Sequence, residues 1–133
     1  MSRKTYPAIN IAACALAVVF LTFLFIYPHN RLKRLSDAVI TDAHELIAAV
    51  QAEDWARADA LIDGIEARVK QDVNMLRYFL DHEDVDQFQA VVKGVHRLVE
   101  QRDNAQLLFE GEHMINIAEY IKGIESFSFN NVF

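Results

Sequence analysis

Residues 8–27 form a continuous apolar segment. In the rest of the chain, apolar residues recur every three or four positions among polar ones. The segment has no charged side chain, and Asn10 and Thr22 are its only ordinary polar ones. A helix of this length rises roughly 30 Å, which matches the hydrocarbon core of a bilayer. The pattern therefore predicts one transmembrane helix near the N-terminus.

The apolar segment is predicted to be retained as an anchor. Secretory signals have an apolar run of about 7–15 residues followed by small residues at the cleavage site. Here large residues fill that place, among them Phe20, Phe23 and Phe25. Cys14 follows a short sequence that resembles a lipoprotein cleavage box, but too little apolar sequence precedes it. We interpret Cys14 as a small membrane residue.

Beyond this segment, apolar residues recur every three or four positions and predict four amphipathic helices. Pro28 and Asn30 predict a kink or a short break before the first of them. No segment has the two-residue alternation of a strand. The apolar positions are Leu32, Leu35, Val39, Ala43, Leu46 and Val50; Trp55, Ala58, Ile62, Ile65, Val69, Val73, Leu76 and Leu80; Val85, Phe88, Val92, Val95 and Val99; and Leu107, Leu108, Met114, Ile115, Ala118, Ile121 and Ile124.

Acidic residues mark the predicted starts of the later helices. Asp54 is a predicted N-cap, because its carboxylate can accept from the first free amides of a helix. Asp84 with Gln87, and Asp103 with Gln106, have the three-residue spacing of a capping pair. The turns between helices are then about two to four residues long.

Turns this short force neighbouring helices to run antiparallel. We therefore predict an all-α protein with a single N-terminal transmembrane helix followed by an antiparallel up-down four-helix bundle. In this topology the acidic turn 81–84 and the C-terminal tail lie at the membrane-proximal end. The predicted divisions are an anchor (1–30), the bundle (31–126) and an aromatic tail (127–133).

The charges indicate which partners and which side of the membrane to expect. Residues 29–133 carry 11 Lys and Arg against 19 Asp and Glu, a net charge of −8, which argues against nucleic acid as a partner. Arg3 and Lys4 precede the apolar segment, and three basic residues between positions 31 and 34 follow it, so the positive-inside rule is nearly balanced. A short basic N-terminus ordinarily stays inside. We expect a single-pass cell-membrane protein with an extracytoplasmic helical domain.

Three motifs carry a resemblance to a known family. Asp54-Trp55-x-x-Ala58 begins a helix, the sequence DHEDVD at 81–86 lies at a helix turn, and Asn-Val-Phe at 131–133 ends the chain. With the N-terminal anchor, the chain resembles the bacterial domain-of-unknown-function family 4363. The resemblance implies an extracytoplasmic helical domain and a multi-pass membrane protein as its partner, and it implies no catalytic residue.

The acidic motif can be interpreted in three ways. Asp81, His82, Glu83, Asp84 and Asp86 form the densest group of oxygen and nitrogen ligands in the chain. A calcium loop needs a glycine at its sharp turn, and none is present. Carboxylates at the start of a helix interact favourably with its dipole. Three interpretations therefore remain open: a helix cap, a cation site and a partner contact.

Metal-dependent catalysis is disfavoured by the sequence. Glu110 and His113 have the spacing used in di-iron bundles, which also require a second Glu-x-x-His and two further inward Glu residues. His44 and His96 have no carboxylate three positions before them, and the apolar stripes hold no Glu. We predict no cofactor and no metal.

The C-terminal tail is unusually apolar for its length. Phe127, Phe129, Val132 and Phe133 fall within seven residues, too few for another stable helix. Such residues either fold back on the bundle or contact lipid or a partner.

Aromatic residues and glycines in the helices allow further expectations. Trp55 is interpreted as a core anchor rather than a ligand platform. Four large residues widen the stripes and are predicted to join the core: Leu61, Phe79, Phe109 and Tyr120. Four glycines fall inside helices, where they are either tolerated surface residues or close crossing points: Gly64, Gly94, Gly111 and Gly123.

The sequence favours a non-enzymatic accessory protein whose membrane helix and membrane-proximal bundle end dock onto an integral membrane protein. The expected contact residues are Phe127, Phe129, Val132, Phe133, Asp81, His82, Glu83 and Asp86. The alternative is an extracytoplasmic ligand- or metal-binding sensor domain. Homo-oligomerisation through the heptad-like first helix remains open.

Overall fold

Four helices make up the structure, a computed structural model that describes the backbone of residues 5–130 and the side chains of residues 8–124. They are α1 (Thr5–Gln51), α2 (Trp55–Phe79), α3 (His82–Gln101) and α4 (Asn104–Asn130). The described part of the chain has no strand. The predicted all-α architecture, with an apolar N-terminal helix and a helical bundle, is confirmed.

The chain forms two compact units, Met1–Arg31 and Leu32–Phe133. Within the described residues of the first unit, α1 is apolar and exposed from residue 8 to residue 27. Of the two alternatives predicted at Pro28, a kink or a short break, the break is wrong, because α1 continues through this residue. Proline lacks an N–H, so the helix loses one backbone hydrogen bond there without ending.

The second unit is an up-down bundle in which successive helices are antiparallel. Gly111 of α4 approaches Ile47 of α1. Further along the same two helices, Lys122 Nζ of α4 lies 2.6 Å from Asp37 Oδ1 of α1. Residue numbers therefore fall along α1 while they rise along α4. On the other side of α1, Arg68 Nη1 lies 2.6 Å from Asp42 Oδ2, which joins α1 to α2.

Each helix contributes its apolar stripe to one core. Leu46, Ile62, Val95 and Met114, one from each helix, are fully buried. Burying a side chain of this size contributes about 1.5–3 kcal/mol, so the stripes hold the bundle together. Ser36 is the one buried polar side chain among the described residues of the core, and its Oγ has no hydrogen-bond partner.

Two of the three turns have the same backbone design. The amides of Glu53 and Asp54 bond to the carbonyls of Val50 and Ala49, the paired bonds that close a helix in a Schellman motif. The α3–α4 turn repeats these bonds at Arg102 and Asp103. The two turns lie at the same end of the bundle, which we call the opposite end.

The aspartates of these two turns then cap the next helices. Asp54 accepts from the amide of Arg57, and Asp103 accepts from the amide of Gln106 at 3.2 Å. Both predicted N-caps are confirmed.

The α2–α3 turn is tighter than predicted and consists of Leu80 and Asp81. Asp81 occupies the N-cap position, so the predicted cap at Asp84 is wrong, and Glu83 and Asp84 belong to the first turn of α3. Because successive helices are antiparallel, this turn falls at the same end of the bundle as Leu32, where α1 begins its part of the bundle, and Ile124 of α4. We call this end the entry end.

Helix α4 continues to Asn130, past the position where a non-helical tail was expected to begin. Residues added to an existing helix need no new nucleus, which explains how so short a segment can be helical. The side chains of Phe127 and Phe129, and all of Val132 and Phe133, lie outside the described residues.

Candidate functional site

The first candidate site is the apolar part of α1. Its most hydrophobic window has a mean hydropathy of 2.6, and none of that window is buried. Among the described residues, α1 is the one helix long and apolar enough to cross a membrane. Large side chains along it stay exposed, such as Ile11, Phe20 and Phe25. An apolar surface of this extent marks a contact with lipid or with another protein.

The second candidate site is the acidic start of α3. Asp81, His82, Glu83 and Asp86 are all exposed. Asp86 Oδ1 lies 3.8 Å from Arg77 Nη2 on α2. The structure thus brings the four predicted contact residues of this motif together at the entry end, around a two-residue turn.

The carboxylates of this motif do not act through specific capping contacts. Asp81 is the N-cap residue, yet its side chain makes no cap hydrogen bond. Glu83 and Asp84 lie in the first turn, where the positive end of the helix dipole favours negative charge. The helix dipole therefore stabilises the negative charge here, and the carboxylates of Asp81 and Glu83 make no hydrogen bond or ion pair with other described residues.

A third group, centred on His96, was not predicted. The Nδ1 of His96 on α3 contacts Glu66 Oε2 on α2 through a short hydrogen bond. The Nε2 lies 3.4 Å from Asp63 Oδ1 and 3.9 Å from Glu100 Oε1. The two helices are thereby joined through one half-buried imidazole ring.

The surroundings of His96 raise its pKa above the ordinary value. The hydrogen bond that the protonated ring donates to the Glu66 carboxylate is the largest cause, and burial opposes it. The charges of Glu66, Asp63 and Glu100 add to the increase, because each favours the protonated ring.

The sequence contains part of the signal for this group. Asp63 and Glu66 lie three positions apart on one helix, and His96 and Glu100 lie four apart on the next, so each pair shares a helix face. What the sequence does not contain is the register between α2 and α3, which decides that the two faces meet.

A shallow groove runs beside this group between α2 and α3. It has a volume of about 490 Å³ and its polar lining includes Asp59, Asp63, His96, Glu100 and Arg102. A smaller depression of about 160 Å³ follows on the other side of Glu66, where Lys70 and Lys93 lie.

Glu110 and His113 contact each other on α4, with Oε2 3.4 Å from Nδ1. Within the part of the chain that the structure describes, no group of three or more His, Cys, Asp or Glu residues is arranged to hold a metal ion.

The predicted core aromatics are correct in part. Trp55 is half-buried against the core, and the guanidinium carbon of Arg102 lies 6.0 Å from the centre of its ring. Phe79 also packs against the core. The prediction is wrong for Phe109 and Tyr120, which are 73% and 58% exposed, because the α4 stripe is narrower than the sequence pattern indicates.

Comparison with known proteins identifies the family. A protein family described as "Domain of unknown function (DUF4363)" matches residues 26–132. No curated protein and no solved structure matches the chain. The match covers the whole of the first two sequence motifs, at 54–58 and 81–86, and all but the last residue of the third. The chain therefore belongs to the DUF4363 family.

Proposed function

We propose that this protein is a membrane-anchored, non-enzymatic interaction protein. Its apolar N-terminal helix and the entry end of its bundle dock onto an integral membrane protein. The observation that carries the proposal is that every residue between positions 8 and 27 is exposed although the segment is apolar. Water is an unfavourable solvent for such a surface, and a bilayer removes that cost.

The entry end supports a docking role for two reasons. It follows the apolar segment directly in sequence, since Leu32 is the first residue of the second unit. It also carries Asp81, His82 and Glu83, whose side chains make no hydrogen bond or ion pair with other described residues. Exposed carboxylates of this kind steer association with a basic surface and select the partner.

The proposal places the helical domain outside the cytoplasm. Arg3 and Lys4, just before the apolar segment, support this orientation, because basic residues beside a membrane helix favour the cytoplasmic side. The proposed partner is therefore an integral membrane protein with a basic extracytoplasmic surface.

The double variant Asp81→Lys, Glu83→Lys tests the docking role. The full-length protein should stay in the membrane fraction after alkaline extraction, and recovery of its partner after crosslinking should fall about tenfold or more, because opposed like charges cost several kcal/mol. Helical content measured by circular dichroism should not change, since both side chains are exposed.

The matched control is Glu53→Lys, Glu112→Lys, which changes the net charge equally at two exposed carboxylates away from the entry end. This variant should recover the partner as the natural protein does. Equal recovery with both double variants would contradict a docking role for the entry end. Loss of the natural protein from membranes on alkaline extraction would contradict the anchor.

A ligand-binding domain is the second candidate function, and one observation favours it. The groove between α2 and α3 is lined by charged side chains of both signs, including Asp63, His96 and Arg102. The depression beyond Glu66 adds two lysines. A rise in melting temperature with a small polar ligand, absent when the groove residue Asp59 is replaced by Ala, would favour this function over docking.

A further inference from the structure

His96 has an arrangement that suits the protonated ring and not the neutral one. Both ring nitrogens face carboxylates, Nδ1 toward Glu66 and Nε2 toward Asp63 and Glu100. A neutral imidazole has a single N–H and can donate on one side alone, whereas imidazolium donates on both. Only the protonated ring can therefore bond to carboxylates on both sides at once.

We propose that His96 is a pH-sensitive clasp that draws α2 and α3 together when its ring is protonated and loosens when the ring is neutral. The contact joins residues 30 positions apart in the sequence, so it acts between helices rather than within one. It lies near the C-terminal end of α3, toward the opposite end of the bundle, at the groove beside Asp59 and Arg102. The proposal is independent of which molecule the entry end binds.

The charges around His96 are mostly negative. Asp63 and Glu66 face it from α2, and Glu100 faces it from the next turn of α3. Asp59 and Arg102 line the same groove further along and are opposite in sign. Loss of the proton therefore removes the positive charge from the centre of three carboxylates, which then repel one another across the contact.

Two lysines, Lys70 on α2 and Lys93 on α3, line the depression on the other side of Glu66. On α4, the other helix packed against α3, Glu110 and His113 contact each other. No described residue of α4 forms an ion pair with His96. Among the described residues, the ion pairs of His96 are therefore made by side chains of α2 and α3.

The direction of the pH effect follows from the pKa of His96, which is raised in the folded protein. The clasp contributes its full stability below the ordinary pKa of about 6.5, where the ring is protonated in both the folded and the unfolded states. The contribution is lost as the pH rises through the higher pKa of the folded protein. The α2–α3 contact therefore tightens on acidification and loosens as the pH rises through this raised pKa.

Loosening the clasp does not unfold the bundle. Val69 of α2 and Val92 and Val95 of α3 remain buried, and this apolar contact does not depend on pH. The device changes the strength of one helix–helix contact and leaves the core in place.

The variant His96→Gln, in the full-length protein in detergent, tests the clasp by thermal unfolding at several pH values. We expect it to melt about 4 °C or more below the natural protein at pH 5.5, and within about 1 °C of it at pH 9. A difference that stays constant over this range would overturn the proposal. So would a difference that grows as the pH rises.

The matched control is His113→Gln, which removes a histidine whose carboxylate partner, Glu110, lies on the same helix. Its melting difference should change less over the same pH range. An equal change in both variants would overturn the assignment to the α2–α3 contact.

NMR titration of the natural protein keeps the test decisive even where a variant fails to fold. The His96 ring should titrate above pH 6.5, and the variant Glu66→Gln should lower that pKa, because its largest cause is then weakened. A His96 pKa at or below 6.5 in the natural protein would overturn the clasp.

Discussion

Glu53 and Arg102 occupy equivalent positions in the two Schellman turns, and each has a φ of 55°. This left-handed conformation costs a residue with a Cβ roughly 1 kcal/mol and suits glycine. Arg102 has a compensating contact, since its guanidinium lies 6.0 Å from the centre of the Trp55 ring. Glu53 is exposed and makes no side-chain hydrogen bond or ion pair with another described residue.

The substitution Glu53→Gly should therefore stabilise the protein by about 0.5–1 kcal/mol, measured by thermal unfolding. The matched change Arg102→Gly should gain less, because it also removes the contact with Trp55. Glu53→Ala removes the charge but keeps a Cβ in the left-handed conformation, so it should give no comparable gain in stability. Destabilisation by Glu53→Gly would show that the turn is not held in this conformation.

At the scale of the helices, the four glycines have different roles. A Cβ added at Gly111 would lie 3.1 Å from Ile47 Cγ1 on α1, so Gly111 marks a close crossing of α4 and α1. A Cβ at Gly64, Gly94 or Gly123 would meet nothing within 4 Å. Both interpretations of the glycines are therefore correct, each at different positions.

Gly64→Ala and Gly94→Ala should each stabilise the bundle by up to about 1 kcal/mol, because glycine is a poor helix former and the new methyl group has room. Gly111→Ala should gain less, and Gly111→Val should destabilise the bundle by about 1–3 kcal/mol through crowding of Ile47. Thermal unfolding of the four variants side by side measures the difference. A gain at Gly111 equal to that at Gly64 would contradict the close crossing.

The sequence predicted the helices better than it predicted what lies between them. The spacing of apolar residues predicted the apolar stripes of the helices. Residue type and position predicted the N-caps at Asp54 and Asp103. The predicted cap at Asp84 was wrong because Asp81 and Asp84 are both suitable N-cap residues. The length of the turn decides between them, and the sequence pattern does not show that length. The exposure of Phe109 was missed for a related reason, since a residue beside an apolar stripe becomes buried only if a neighbouring helix covers it.

At the scale of the whole molecule, the candidate sites differ in how far the sequence could reveal them. The apolar segment is visible because it depends on composition alone. The grouping of Asp81, Glu83 and Asp86 at a turn is visible because they are neighbours in the chain. The His96 clasp joins residues on two helices and depends on their register, which sequence periodicity leaves undetermined.

The central claim is that the entry end of the bundle contacts an integral membrane protein, and site-specific photocrosslinking in native membranes tests it most directly. A photoreactive side chain would replace Glu83 or, as the matched control, Gln101, both exposed and about 27 Å apart along the same helix. We predict an adduct with an integral membrane protein from position 83 and none from position 101. An adduct from position 101 with none from position 83 would contradict the account.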